Sequence, residues 1–392
     1  GYFKEMIVDA GKRLNNVCNP PAADSLGWQH DYVSTSDSIF QNKMFVGDDN
    51  DLNGILLYPD NEPRYRMLYI NGGSSRPHGV SLTPKGLRNM VTFVDNGGSY
   101  VGTCAGACIA STGRQKSSGS RTLLAGTEYL GIYPEMIQGM DYYDTCSHHT
   151  IVNNSPLLKY YDFGGDMRID SVRFNGGCLL PESNVVPGTE IMARYVIASP
   201  ASYNKKISVW AYKANDVKGR VVVTGGHPES VATGERLHMM KAMCQYAVEG
   251  NGRGTEKGVL TNGEERRMDQ LSSAERPENA RIGDRQYHHF RLEIPAGGAK
   301  NVTISLVSNS SKNLMLGLRK GDFAWRSDAD FLLVQSGSNK ILNIDALPAG
   351  IWYVSVCCPD APGVSCGSSR FTYSGDKTLL NGVPYSITAS WK

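Results

Sequence analysis

Gly98-Ser99-Tyr100-Val101-Gly102-Thr103-Cys104-Ala105-Gly106-Ala107 is the stretch on which the fold turns, together with its downstream counterpart Gly219-Arg220-Val221-Val222-Val223-Thr224-Gly225-Gly226-His227-Pro228-Glu229. In each, a short strand-like run ends abruptly at small residues. A reactive side chain follows: Cys104 in the first, His227 and Glu229 in the second. Small residues on both sides of Cys104 suit a sharp strand-to-helix turn, where a Cβ two positions away would clash. Such a turn lifts the sulfur off the sheet. It also leaves backbone N–H groups free at a helix start, where they favour a thiolate and can bind an oxyanion. Glu229, two positions beyond His227 on an extended segment, can point the same way and hold the ring. Cys104, His227 and Glu229 are therefore the candidate catalytic residues.

Around these two stretches, strands alternate with helices. Ile55-Leu56-Leu57-Tyr58 and Met67-Leu68-Tyr69-Ile70 are short apolar runs bounded by Asn, Gly and Pro, and read as buried strands. Leu87, Met90, Val91 and Val94 repeat at helical spacing between Pro84 and Asn96, and Gly97-Gly98 ends that helix. Leu237, Met240, Cys244 and Val248 line another. This order predicts an α/β domain over residues 1–250: a flavodoxin-like, mostly parallel sheet with helices on both faces. Ligands in such sheets bind beyond the carboxyl ends of the strands, where Cys104 and His227 both fall.

The texture changes after Gly250. Residues 251–280 carry Gly252, Gly254, Gly258 and Gly263 among polar residues and read as a linker. From 281 to 392 the period becomes two. Val302, Ile304 and Leu306, then Leu314, Leu316 and Leu318, then Trp352, Val354 and Val356 alternate with other residues between turn signals such as Asn381-Gly382. That pattern predicts an antiparallel β-sandwich.

Bulk composition narrows the partners. The formal charge is +2 and no dense basic run occurs, which argues against nucleic acid. No apolar run has membrane-spanning length. No signal peptide is visible, and with Gly1 as first residue this says little. Nine cysteines less one nucleophile leave an even number, which suits disulfides in an oxidising compartment; buried thiols are the other reading. Cys366 with Cys357 or Cys358 is the best local pair. No zinc-like CxxC spacing appears, and neither a metal nor a cofactor is expected.

Four further groups are candidates. Asn71-Gly72-Gly73 directly follows a strand. Its glycines let N–H groups approach a substrate carbonyl, so Gly72, Gly73 and Ala105 form the candidate oxyanion hole. Asn71, Asn175 and Gly176 are candidate substrate-binding residues, the latter two in a loop near the site mouth. Cys108 lies one helical turn past Cys104 and is either a second, resolving thiol or a small buried residue. His148-His149 and His288-His289 are adjacent pairs in strands, so each pair faces opposite sides and makes a poor metal site.

At Tyr69–Gly73, Gly97–Ala107, Phe174–Gly177 and Gly219–Glu229 the first domain resembles the class I glutamine amidotransferase-like superfamily. Within it, the resemblance is to proteins sharing the domain at the N-terminus of fungal biotin–protein ligase. It covers roughly residues 40–250 and implies a triad of Cys104, His227 and Glu229. The glutamine-using members carry Cys-x-Gly-x-Gln, and this chain has Cys108 in place of that glutamine, so the resemblance implies C–N bond hydrolysis more readily than glutamine use. At Asp284–Phe290, Asn313–Leu316, Leu347–Val354 and Pro384–Ile387 the second domain resembles the bacterial pre-peptidase C-terminal domain. Such modules accompany secreted hydrolases, which implies a secreted, periplasmic or cell-surface location.

The expected activity is cysteine-dependent hydrolysis of an amide or peptide bond in a small-molecule or peptide substrate. The alternative is a non-catalytic ligand-binding protein on the same scaffold, with the sandwich as a binding or targeting module. Thiol redox chemistry through Cys104 and Cys108 is a third reading. The sequence leaves the oligomeric state open.

Overall fold

A computed structural model describes residues 2–34, 45–271, 277–366 and 371–392. Its first domain is built on a nine-stranded sheet. The strands are β1 (Lys4–Ala10), β2 (His30–Ser34), β3 (Tyr65–Ile70), β4 (Ser99–Thr103), β5 (Thr145–Ile151), β6 (Arg168–Phe174), β7 (Thr189–Val196), β8 (Ile207–Tyr212) and β9 (Val221–Thr224). Their spatial order is β2-β1-β3-β4-β9-β8-β7-β5-β6. The first five are mutually parallel, and the last four extend the sheet antiparallel from β9. The parallel half has the order of a flavodoxin-like doubly wound sheet.

Helices cover both faces. Helix α1 (Pro21–Leu26) and the long C-terminal helix α4 (Gly234–Glu249) pack on one side, over Met6, Val8, Met67, Tyr69, Val101 and Val222. Helices α2 (Ser75–Asp95) and α3 (Ala105–Ala110) pack on the other, over Ile7, Leu68, Ile70, Tyr100 and Val223. Successive residues of one strand thus enter different cores. A strand buried on both faces reads as an unbroken apolar run, which is why these strands are visible in the sequence.

Two local expectations change. Ile55–Tyr58 is buried but is not a strand. It is a compact turn closed by hydrogen bonds from Tyr58 N–H to Glu62 O (2.9 Å) and from Arg64 N–H to Leu56 O (2.8 Å). Asn53 donates to the Tyr58 carbonyl at 2.7 Å, so a side chain stands in for a neighbouring strand. Helix α2 begins at Ser75, well before Pro84, because it is two helical segments joined at Thr83, whose φ of 62° breaks the first. Pro84 then starts the second, where its missing N–H costs nothing.

The C-terminal domain is a two-sheet sandwich. One sheet holds Glu256–Val259, Tyr287–Ile294, Gly350–Cys357, Met315–Lys320 and Phe331–Leu333; the other holds Glu265–Met268, Tyr385–Ser390, Ala299–Val307 and Lys340–Leu347. The alternating residues Val302, Ile304, Leu306, Leu316, Leu318, Trp352, Val354 and Val356 form its core. The linker expected over 251–280 is corrected here: two of the sandwich strands come from it. Their polar composition follows from position, since both are edge strands with one exposed side.

Among the described residues no helix is long and apolar enough to cross a membrane. The expected disulfide is not formed, and all nine cysteines are free. Cys366 turns away from Cys357 and Cys358 to the first domain, where its sulfur lies 3.5 Å from Asp31 Oδ1.

Candidate active site

The turn after β4 is as sharp as its glycines imply. Cys104 has φ 46° and ψ −102°, a conformation costly for any residue with a Cβ. Its N–H donates to Thr224 O at 2.9 Å, which ties the end of β4 to the end of β9. The flanking glycines interlock: a Cβ on Gly102 would stand 2.5 Å from the Gly106 carbonyl carbon, and a Cβ on Gly106 would stand 2.2 Å from Ile70 O. Neither position accepts alanine without moving backbone.

His227 follows β9 and is pinned by its N–H to Arg173 O at 2.9 Å, an antiparallel bridge to β6. Its Nδ1 lies 2.9 Å from Glu229 Oε1, and Glu229 is buried. The ring lines the same cleft as the Cys104 thiol. Burial alone would lower the imidazole pKa. The hydrogen bonds to Cys104 and Glu229, with the charges they bring, outweigh burial and raise it to about 10. The Gly72 backbone lies flat against this ring, and a Cβ there would fall 2.2 Å from Cε1.

The Gly72–Gly73 turn is held open by Asn15 N–H donating to Gly72 O (2.7 Å) and Ser74 N–H donating to Arg13 O (2.8 Å). Among the described residues, the N–H groups of Gly72 and Gly73 themselves find no protein acceptor. Ala105 is the first residue of α3, so its N–H has no intrahelical partner. Gly72 itself is not among the residues that line the cleft beside Cys104. Gly73, Cys104, Ala105, Asn175, Gly176, His227 and Glu229 all line one cleft of about 1020 Å³.

Asn71 is not part of that lining. It is fully buried, accepts from Tyr69 OH at 2.9 Å and donates to Val17 O at 2.9 Å, so both ends of its amide shape the loop instead of facing a ligand. His149, His288 and His289 are likewise internal, while His148 is half-buried. His149 Nδ1 meets Ser208 Oγ at 2.7 Å, and His288 and His289 meet Tyr385 OH and Ser355 Oγ. Among the described residues no cluster of His, Cys, Asp and Glu has the makings of a metal site.

Several cleft residues carry no sequence signal. Behind the cleft wall, Cys178 follows the Gly176–Gly177 turn and neighbours Cys108, whose thiol it holds below its ordinary value. The second thiol thus faces Cys178. Arg13, Arg76, Arg114, Arg173 and Arg236 also line the cleft, drawn from five separate segments that no spacing rule connects. Behind the site, His78 bridges Asp9 Oδ2 and Lys12 O, each at 2.7 Å, and so fixes the loop that carries Arg13.

A doubly wound sheet carries a cysteine elbow and a histidine–glutamate pair at the carboxyl ends of its strands, which is the architecture of a flavodoxin-like α/β domain. More narrowly, the chain belongs to the family described as biotin-protein ligase, N terminal, whose match covers residues 59–273. It is 28% identical over 173 residues to an uncharacterized protein of Chlamydia muridarum, covering 43% of this chain and 62% of that one. It is 26% identical over 185 residues to the biotin–protein ligase of Schizosaccharomyces pombe, covering 44% of this chain and 26% of the ligase. The matches thus take in less than two thirds of either relative. Among solved structures, it is similar to a glutamine amido transferase from Methylobacillus flagellatus (10% identity, 65% of this chain, 98% of that one, TM-score 0.35). It is also similar to the pre-peptidase C-terminal domain of collagenase from Bacillus anthracis (14% identity, 36% of this chain, 100% of that one, TM-score 0.22).

Proposed function

We propose that the chain is a cysteine hydrolase of amide or peptide C–N bonds. One observation carries the reading: Cys104 and His227 line the same cleft, and Glu229, 2.9 Å from Nδ1, fixes the ring. With a carboxylate at Nδ1, that nitrogen keeps its hydrogen and Nε2 is left to exchange a proton with the sulfur. The Cys104 sulfur attacks the carbonyl carbon, and N–H groups of Gly72, Gly73 and Ala105 receive the oxyanion. Collapse breaks the C–N bond, the amine leaves with the proton from His227, and a thioester remains on Cys104. Water then attacks the thioester, giving up a proton to His227, and the thiol and a carboxylic acid are released.

The test is intact-mass spectrometry of the protein quenched seconds after mixing with a broad series of amides and peptides. A thioester adduct on Cys104, absent in Cys104→Ala, is expected. If no member of the series gives an adduct and its turnover is unchanged in Cys104→Ala, the mechanism is wrong and ligand binding without chemistry becomes the better reading.

A further inference from the structure

The cleft around Cys104 is unbalanced in charge. Its lining contains five arginines and one acid, and that acid, Glu229, is already engaged by His227. Two of the arginines have partners at the rim: Arg76 with Glu128, and Arg173 with Asp144 at 3.3 Å. Arg13, Arg114 and Arg236 have no carboxylate within ion-pair distance among the described residues.

Arg236 is the most telling. Five arginines have a buried Nε without a hydrogen-bond partner: Arg64, Arg220, Arg236, Arg266 and Arg291. Four of them anchor another part of the guanidinium group or its charge: Arg64 on Asp284, Arg220 on Tyr246 O, Arg266 on Lys257 O and Arg291 on Glu256. Arg236 engages no acceptor among the described residues. A half-buried guanidinium with no acceptor, facing a water-filled cleft, is a group whose partner is the ligand.

We propose that this cleft selects substrates bearing an oxyanionic group, a carboxylate or a phosphate, close to the scissile amide. Arg13 beside the Gly72–Gly73 turn, Arg114 beyond Cys108 and Arg236 past Glu229 surround the nucleophile and receive that group. A guanidinium fork matches both anions. With no uncommitted acid in the lining, a substrate presenting a free ammonium meets only like charge, and free glutamine is such a substrate. The inference rests on the hydrolase reading for the scissile bond, but the anion site itself does not.

The experiment exploits that separation. Cys104 is alkylated with iodoacetate and with iodoacetamide, which differ in charge, and the ratio of the two rates is compared with the same ratio for N-acetylcysteine. We expect the protein's ratio to exceed the reference about tenfold at low ionic strength and to fall several-fold in about 0.5 M NaCl. It returns toward the reference in Arg114→Gln and Arg236→Gln. Arg121→Gln, an exposed arginine paired with Glu135 away from the cleft, leaves it unchanged and so controls for net charge. A wild-type ratio equal to the reference overturns the proposal. Calorimetry on Cys104→Ser gives the second readout, with glutarate and glycerol phosphate as anionic probes and glutaramide as the neutral one. Saturable binding of one or both anions and not of glutaramide supports the site and names the anion; no anion binding at millimolar concentration overturns it. If an anion binds and the ratio is raised but Cys104 reacts no faster than a free thiol with either reagent, the anion site stands and the hydrolase reading falls.

Discussion

Two regions of this molecule hold buried or half-buried cations, and they treat them in opposite ways. At the domain junction the buried cations Arg64 and Lys257 are paired with carboxylates. Arg64 of the first domain meets Asp284 of the second, both almost wholly buried. Lys257 lies 2.6 Å from Asp60 and 2.9 Å from Glu62, and Gln286 donates to Asp60 at 2.6 Å. In the cleft, Arg13, Arg114 and Arg236 stand without acids among the described residues. A buried charge is tolerated only when paired, so the junction has a settled structure. The cleft keeps its cations in reach of water, with the pairing left for something that arrives. The contrast separates charge that holds the protein together from charge that does its work.

The largest effect breaks the contrast from the cleft side. Cys104→Ala is expected to lower hydrolysis on the order of 10⁴-fold or more, the loss seen when a nucleophile is removed from a triad. The midpoint of thermal unfolding, read by calorimetry on the same sample, stays close to wild type. A large fall in stability with activity retained would reverse the assignment of roles.

The next effect comes from the junction. Asp284→Asn leaves the Arg64 guanidinium buried without its counter-charge, and urea unfolding should show a loss of about 3–5 kcal/mol. Replacing both partners with apolar residues of similar size, Arg64→Met with Asp284→Leu, recovers most of it, because the cost lies in the orphaned charge. Acid acts on the same region. Burial alone would raise the Asp60 carboxyl, but Lys257 and His288 hold it below the usual carboxylate range. Its contribution to stability is therefore present above that usual range and is lost as pH falls through the depressed value.

How much of this was legible follows from where the information lies. The elbow was, because Gly102 and Gly106 are locally required by the turn that presents Cys104. The parallel strands were, because burial on both faces leaves an unbroken apolar run. The sandwich core was, from the alternation of Val302, Ile304 and Leu306. The edge strands between 256 and 268 were not, since an edge strand with one wet face has no continuous apolar signal, and its glycines mimic a linker. Asn71 was misplaced because nothing in a sequence says whether an amide after a strand faces a ligand or, as here, the Val17 carbonyl. The arginines were invisible for a stronger reason. They come from five segments that only the fold brings to one wall, and an unpaired state is a property of their surroundings.

A smaller effect probes the triad. Glu229→Gln keeps shape but removes the charge that, with Cys104, raises His227 to about 10. Thiol alkylation at neutral pH should slow on the order of 10²-fold. The imidazole titration followed by NMR should move down from about 10 toward its ordinary value near 6.5. The sign for stability follows from a raised base. In the wild type the His227 contribution is complete below the ordinary imidazole value and is lost as pH rises through about 10, and the variant should lose its smaller contribution at lower pH.

The smallest effect is the one that sharpens the comparison most. Arg236→Gln removes a half-buried cation and Arg64→Gln a fully buried one, yet the expected cost of the first to stability is within about 0.5 kcal/mol. The reason lies in what each leaves behind. Removing Arg64 strands Asp284 in the buried interior, whereas removing Arg236 strands nothing, because no acceptor among the described residues depends on it. Removing a repelling neighbour from a cleft of like charges can even stabilise slightly. Urea midpoints of the two variants measured side by side decide the matter. A loss for Arg236→Gln as large as that for Arg64→Gln would mean that the cleft arginine is structural after all, and the two regions would no longer differ in kind.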